Sequence, residues 1–174
     1  MRFVHDLFEF NDRAHVNTTY YSFTNTVLPQ RSIPEKKKHR TLLVTLHAFC
    51  LMPNHYHLLM SEKRKGDMPA FMHKLNKGYS RYFNIKYERK GTLFEGPYKA
   101  VRVEREAHFN HLPYYIHLNP LDLKYPTWRD RKLKDYKLAF AFLNTYRWSS
   151  HLDYLGKKNF PSVTSREFLN QFFS

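Results

Sequence analysis

The sequence predicts an α+β fold, an antiparallel sheet with helices packed on one face. Three observations predict it. Two β-favouring runs, 41–52 and 55–60, are separated only by the turn dipeptide Pro53-Asn54, so they read as adjacent strands. Residues 67–87 carry apolar groups at three- and four-residue steps, the signature of an amphipathic helix. Residues 105–119 read as a further helix that stops at Asn119-Pro120.

Before the first of these runs, residues 18–25 alternate aromatic and polar side chains, as in Tyr21-Ser22-Phe23-Thr24, and read as a strand. Pro29 and Pro34 make 29–40 a loop. Its charge run, Glu35 to Arg40, is either solvated surface or a phosphate-contacting edge. Asp67 caps the 67–87 helix and Pro69 suits its first turn. The stripe Met68, Phe71, Met72, Leu75, Tyr79, Tyr82, Phe83 reads as core in preference to a base-stacking platform. Gly91 to Gly96 brackets a short element, and 98–104 alternates as a strand. Pro113 lies inside 105–119, so that helix starts near Leu112 or kinks there. Residues 136–145 and 165–173 read as helices. Residues 1–174 thus form one domain, in which 121–174 is a connector and C-terminal helical extension.

Lys plus Arg total 29 against 15 Asp plus Glu, a net charge of +14, which calls for a polyanionic partner. Nucleic acid is the first candidate and an anionic membrane the second. A hydrophobic fraction of 42% excludes a disordered chain, and only 5 glycines argue against Gly-rich phosphate loops. No run reaches the roughly 18 apolar residues of a membrane span, and the first residues lack the apolar core of a secretory signal. A cytoplasmic protein is expected. A single cysteine, Cys50, excludes an internal disulfide framework and a Cys-rich zinc site.

Two pairs of residues carry chemistry. On a strand, His55 and His57 face the same side, roughly 7 Å apart at the backbone, so their imidazoles can converge on one divalent ion while Tyr56 points into the core. By itself a His-x-His pair among 11 histidines is more often structural. Tyr115 and Asn119 are one helical turn apart and share a face. They read either as nucleophile and oxygen ligand, or as a packing residue with a polar tip and a helix stop.

Four segments in order resemble the REP-associated tyrosine transposases and the wider insertion-sequence-200-like family of single-tyrosine HUH transposases (His, bulky hydrophobic, His). They are Ala48-Phe-Cys-Leu-Met-Pro-Asn-His-Tyr-His-Leu-Leu59, Phe71-Met-His-Lys-Leu-Asn-Lys-Gly-Tyr-Ser-Arg-Tyr-Phe83, Gly91-Thr-Leu-Phe-Glu-Gly-Pro-Tyr-Lys-Ala100 and Tyr114-Tyr-Ile-His-Leu-Asn-Pro120. The resemblance covers about residues 42–125; Tyr146 to His151 is also similar. It implies a ferredoxin-like or RNA-recognition-like HUH nuclease fold with the histidine strand central. It implies His55 and His57 as metal ligands, Asn119 as a third, and Tyr115 as nucleophile with Tyr114 its rival. The metal is Mg²⁺ or Mn²⁺. The substrate is single-stranded or hairpin DNA, cut and rejoined through a 5′-phosphotyrosine. The assembly is a monomer or a homodimer, and some relatives exchange the tyrosine helix.

The residues expected along the DNA are Lys63, Arg64, Lys65, Lys74, Lys77, Arg81, Lys86, Arg89, Lys90, Lys99 and Arg102, with the basic segment 129–134. The chain departs from the family pattern at Pro97, where many relatives have Arg, and at Pro113, close to the nucleophile. Its first 40 residues match poorly. The alternative is a former transposase that binds hairpin DNA or RNA without cutting. A basic structural protein with incidental histidines requires four ordered motifs to be accidental.

Overall fold

The computed structural model describes residues 2–14 and 40–173. The strand expected at 18–25 and most of the charged loop 29–40 lie outside the described residues. The elements are α1 (Arg2–Glu9), β1 (Val44–Leu51), β2 (Tyr56–Glu62), α2 (Asp67–Lys86), α3 (Glu106–Leu118), α4 (Tyr136–Leu143), α5 (His151–Tyr154) and α6 (Glu167–Phe173). Two 3-10 turns, Asn119–Leu123 and Pro126–Asp130, lie between α3 and α4.

β1 and β2 form the antiparallel hairpin the sequence predicts, with Val44 opposite Glu62 and Cys50 opposite His57. A bulge between Leu46 and Ala48 inserts His47 as an extra residue. It keeps Leu46 and Phe49 on one face and turns Ala48 and Cys50 to the other. Phe3, Val4 and Leu7 of α1, and Phe71, Met72 and Leu75 of α2, bury the first face. Ile116 of α3 and Leu169 of α6 bury the second. Helices therefore cover both faces, not one. The cause is the β1 sequence, which is buried along almost its whole length and needs an apolar layer on each side.

Residues 148–150 and 165 cover the other edge of β1. Leu51 N–H donates to Trp148 O at 2.8 Å, Ser150 N–H to Phe49 O at 3.0 Å, and Ser165 N–H to Leu46 O at 2.8 Å. Among the described residues β2 pairs with β1 alone. The stretch 98–104 is irregular rather than a strand. Within it Val103 packs on the second core layer, but Val101 is 76% exposed, so the alternation does not present one buried side. α3 runs unbroken through Pro113, whose ring is buried against the core. That packing outweighs the backbone hydrogen bond a proline cannot donate. Asp67 is the first residue of α2, with Gly66 at φ 89° in the cap position; its carboxylate accepts from Arg64 N–H at 2.8 Å and pairs with Arg13.

The α1–α2 contact yields a stability prediction. Gly78 in the middle of α2 faces the Phe10 ring, and a β-carbon there meets ring carbons at 2.2 and 2.3 Å. In an open helix Gly→Ala stabilises by about 1 kcal/mol. Here Phe10 is buried, so Gly78→Ala is expected to destabilise by about 1–3 kcal/mol through overpacking. Urea denaturation checks the sign; a higher midpoint for the variant refutes the contact.

Candidate active site

The hairpin register places the first half of the site. His57 pairs across from Cys50, and Cys50 belongs to the core layer under α3. His57 therefore points toward α3, whereas Tyr56 points to the opposite layer. There its hydroxyl donates to Asn76 Oδ1 at 2.7 Å and its ring packs on Phe3 at 4.8 Å. α3 brings Tyr115 over the same spot, because the neighbouring Ile116 is buried against β1 and β2.

The rings of His55 and His57 are 4.9 Å apart at their centroids, and that of His57 is 5.5 Å from Tyr115 in an edge-on contact. His55 is exposed, with Nδ1 2.8 Å from Asn54 Oδ1. His57 is half-buried, and its Nε2 is a buried atom with no hydrogen-bond partner among the described residues. Such an orphan is costly unless something outside the protein satisfies it. Burial pushes the His57 pKa below its ordinary value, and the neighbouring His55 and Arg129 push it the same way. The imidazole is thus held neutral, with a lone pair free for a metal. Among the described residues no group of three or more His, Cys, Asp or Glu could hold a metal ion. A two-imidazole donor set completed by oxygen suits Mn²⁺ better than Mg²⁺.

Asn119 opens the first 3-10 turn and is buried. Its Nδ2 donates to Tyr115 O at 2.7 Å, and its Oδ1 accepts from Arg129 Nη2 at 2.9 Å. It therefore lies one turn from Tyr115 as expected, but its oxygen already has an acceptor's task. Tyr114 is 55% exposed, and the ring contact with the histidines runs through Tyr115.

Three side chains that sequence reasoning missed complete this cluster. Asp122 accepts from Trp128 Nε1 at 2.6 Å, and from Arg129 Nε at 3.1 Å and Nη2 at 2.6 Å. The Arg129 guanidinium holds the Asp122 carboxyl below the usual carboxylate range. Its Cζ lies 5.0 Å from the Tyr115 ring centroid. By sequence Arg129 belongs to the basic segment 129–134 expected along the DNA. The only signal against that was an acidic residue and a tryptophan inside a mainly basic connector.

The other basic residues divide by exposure. Lys63, Arg64 and Lys65 after β2, Lys77, Arg81 and Lys86 on α2, Arg89 and Lys90 beyond it, and Lys99 and Arg102 in the irregular stretch are all exposed. Lys74 is different. Its ammonium donates to the carbonyls of Asp12, Arg13 and Ala14, so it ties α2 to the segment after α1.

Behind the site, His117 is 2.8 Å from Ser150 Oγ, and burial pushes its pKa down to about 3. The unfolded imidazole titrates near 6.5. Below that pH the unfolded chain binds a proton that the folded chain refuses. The stability is fully present above pH 6.5 and is lost as pH falls toward 3, on the order of a few kcal/mol in all. Melting temperature is expected to fall steadily from about pH 7 to pH 4, and less steeply in His117→Gln. An identical slope in that variant would assign the acid loss to other groups.

An α+β domain that sets two histidines, one just before β2 and one within it, beside a helical tyrosine has the arrangement of the HUH nucleases, which act on DNA. The family model described as "Transposase IS200 like" matches residues 23–119, and the chain belongs to that family of tyrosine HUH transposases. Comparison with curated proteins and with solved structures gives no match. No helix among the described residues is long and apolar enough to cross a membrane.

Proposed function

We propose that the chain is a metal-dependent endonuclease and transposase that cuts and rejoins single-stranded DNA at hairpin-associated sites. The observation that carries this reading is the His57–Tyr115 contact at 5.5 Å, next to a His57 Nε2 that no group among the described residues satisfies. His55 and His57 are the residues that would hold the divalent ion, with Asn119 Oδ1 a third ligand through its remaining lone pair. When bound, the ion supplies Lewis-acid polarisation of the scissile phosphate.

Tyr115 Oη attacks the phosphorus and its proton leaves to solvent. The bond from phosphorus to the 3′ oxygen breaks, and that oxygen takes up a proton. The products are a 5′-phosphotyrosine and a free 3′-OH. One phosphate ester replaces another, so rejoining needs no nucleotide. The exposed lysines and arginines around α2 support a backbone-tracking surface for DNA.

The test is incubation with Mn²⁺ and end-labelled single-stranded hairpin oligonucleotides. A covalent protein–DNA adduct stable to denaturing electrophoresis is expected. Tight hairpin binding with no adduct would instead establish the non-cleaving alternative.

A further inference from the structure

The family match ends at residue 119, yet the cluster around Tyr115 continues past it. After Pro120 the two 3-10 turns fold the chain back over the end of α3. We propose that Arg129, locked by Asp122 and Trp128, is a positioning residue that fixes the Tyr115 ring and the Asn119 carboxamide for strand cleavage. This deepens the reading of Tyr115 as nucleophile and rests on it.

The geometry carries the assignment. Arg129 presents Nε and Nη2 to the two oxygens of Asp122, a forked pairing that fixes the plane of the guanidinium. Trp128 Nε1 donates to the same Oδ1, so Asp122 is itself held in place. From that fixed plane Nη2 also reaches Asn119 Oδ1 at 2.9 Å. The guanidinium carbon lies 5.0 Å from the Tyr115 centroid and 4.8 Å from that of Trp128, both within cation–π range. Tyr115 thus has His57 at one side and Arg129 over its ring, which restricts where the phenol can swing. An arginine kept for tracking phosphates would leave its fork in solvent. Here Nε and Nη2 are committed to Asp122 and Asn119, while the side chain as a whole stays 39% exposed. Lysine, a point charge without a fork, cannot make these bonds together.

The test has two independent arms, with Arg129→Gln, Arg129→Lys and Asp122→Asn. In the first, metal-free protein is labelled with ζ-¹³C tyrosine, and the Tyr115 resonance among the 13 tyrosines is assigned by its loss in Tyr115→Phe. The resonance is expected to shift or broaden in Arg129→Gln and in Asp122→Asn. In the second, single-turnover adduct formation is measured at saturating hairpin DNA with Mn²⁺. A loss of about 10²-fold is expected, the usual cost of an approximately 1 Å misplacement. DNA affinity should stay within a few-fold, Arg129→Lys should recover little, and Asp122→Asn combined with Arg129→Gln should be no worse than Arg129→Gln alone. An unmoved Tyr115 resonance with a wild-type rate in folded Arg129→Gln overturns the proposal and leaves a structural staple. A loss that vanishes at saturating DNA also overturns it and makes Arg129 a phosphate contact. Asp122→Asn retains Arg129, so it decides the matter if Arg129→Gln fails to fold. An adduct that persists in Tyr115→Phe refutes the nucleophile, an outcome the spectroscopic arm does not depend on.

Discussion

Tyr115→Phe is expected to abolish the covalent protein–DNA adduct and to lower strand cleavage by roughly 10⁴-fold or more, as loss of a nucleophile does. The substitution removes one oxygen and keeps the ring, so the edge-on contact with His57 and the packing beneath Arg129 are retained. Folding stability is expected to change by no more than about 1 kcal/mol, the net worth of one hydroxyl interaction. Hairpin affinity should be unaltered, because no charge is lost. Tyr114→Phe is the matched control. That residue is 55% exposed, and its variant should form adduct at the wild-type rate. Denaturing gels with an end-labelled oligonucleotide, followed by mass spectrometry of the labelled peptide, read both variants. An undiminished adduct in Tyr115→Phe sinks the assignment, and its loss in Tyr114→Phe would move the nucleophile by one residue.

The parts of the fold that were legible in the sequence are those fixed by short-range rules. Pro53-Asn54 between two apolar runs specifies a hairpin, and period-two alternation then sends His57 and Tyr56 to opposite faces, as observed. The spacing of Phe71, Met72 and Leu75 gives the buried face of α2. The rest depends on contacts that a local pattern does not contain. The 98–104 alternation lacks the one buried side that makes a strand. Pro113 obeys the tertiary core rather than the local rule, because a buried ring offsets a missing hydrogen bond. The double coverage of β1 was in fact readable, since an uninterrupted apolar run marks a strand buried on both faces. Residue type alone does not show that the Lys74 ammonium donates to three carbonyls far away in sequence. The site shows the same division. Its histidine pair follows from the turn into β2 and the first residues of that strand, whereas the Arg129 contact with Asn119 depends on the path of two 3-10 turns.

Removing both imidazoles, His55→Ala with His57→Ala, is expected to abolish Mn²⁺ binding and cleavage while leaving hairpin binding within a few-fold of wild type. DNA affinity of a chain at +14 comes mainly from exposed lysines and arginines, and that charge is counted with every histidine neutral. The single variants should not be equal. His57 is half-buried, is held by its pairing with β1 and touches Tyr115, so its loss removes a fixed ligand and one wall of the nucleophile's pocket. His55 is exposed, and its ring is held by Asn54 Oδ1 and by the edge contact with His57, so water can replace it in part. His57→Ala is therefore expected to cost about ten-fold or more beyond His55→Ala, where one well-placed interaction of about 1.4 kcal/mol is a factor of ten. Titration calorimetry with Mn²⁺ separates metal loss from misfolding, because the orphaned Nε2 disappears with the side chain and the double variant should melt close to wild type. Retained Mn²⁺ affinity in the double variant would place the ion elsewhere. Retained cleavage without Mn²⁺ affinity would show that the tyrosine needs no metal at all.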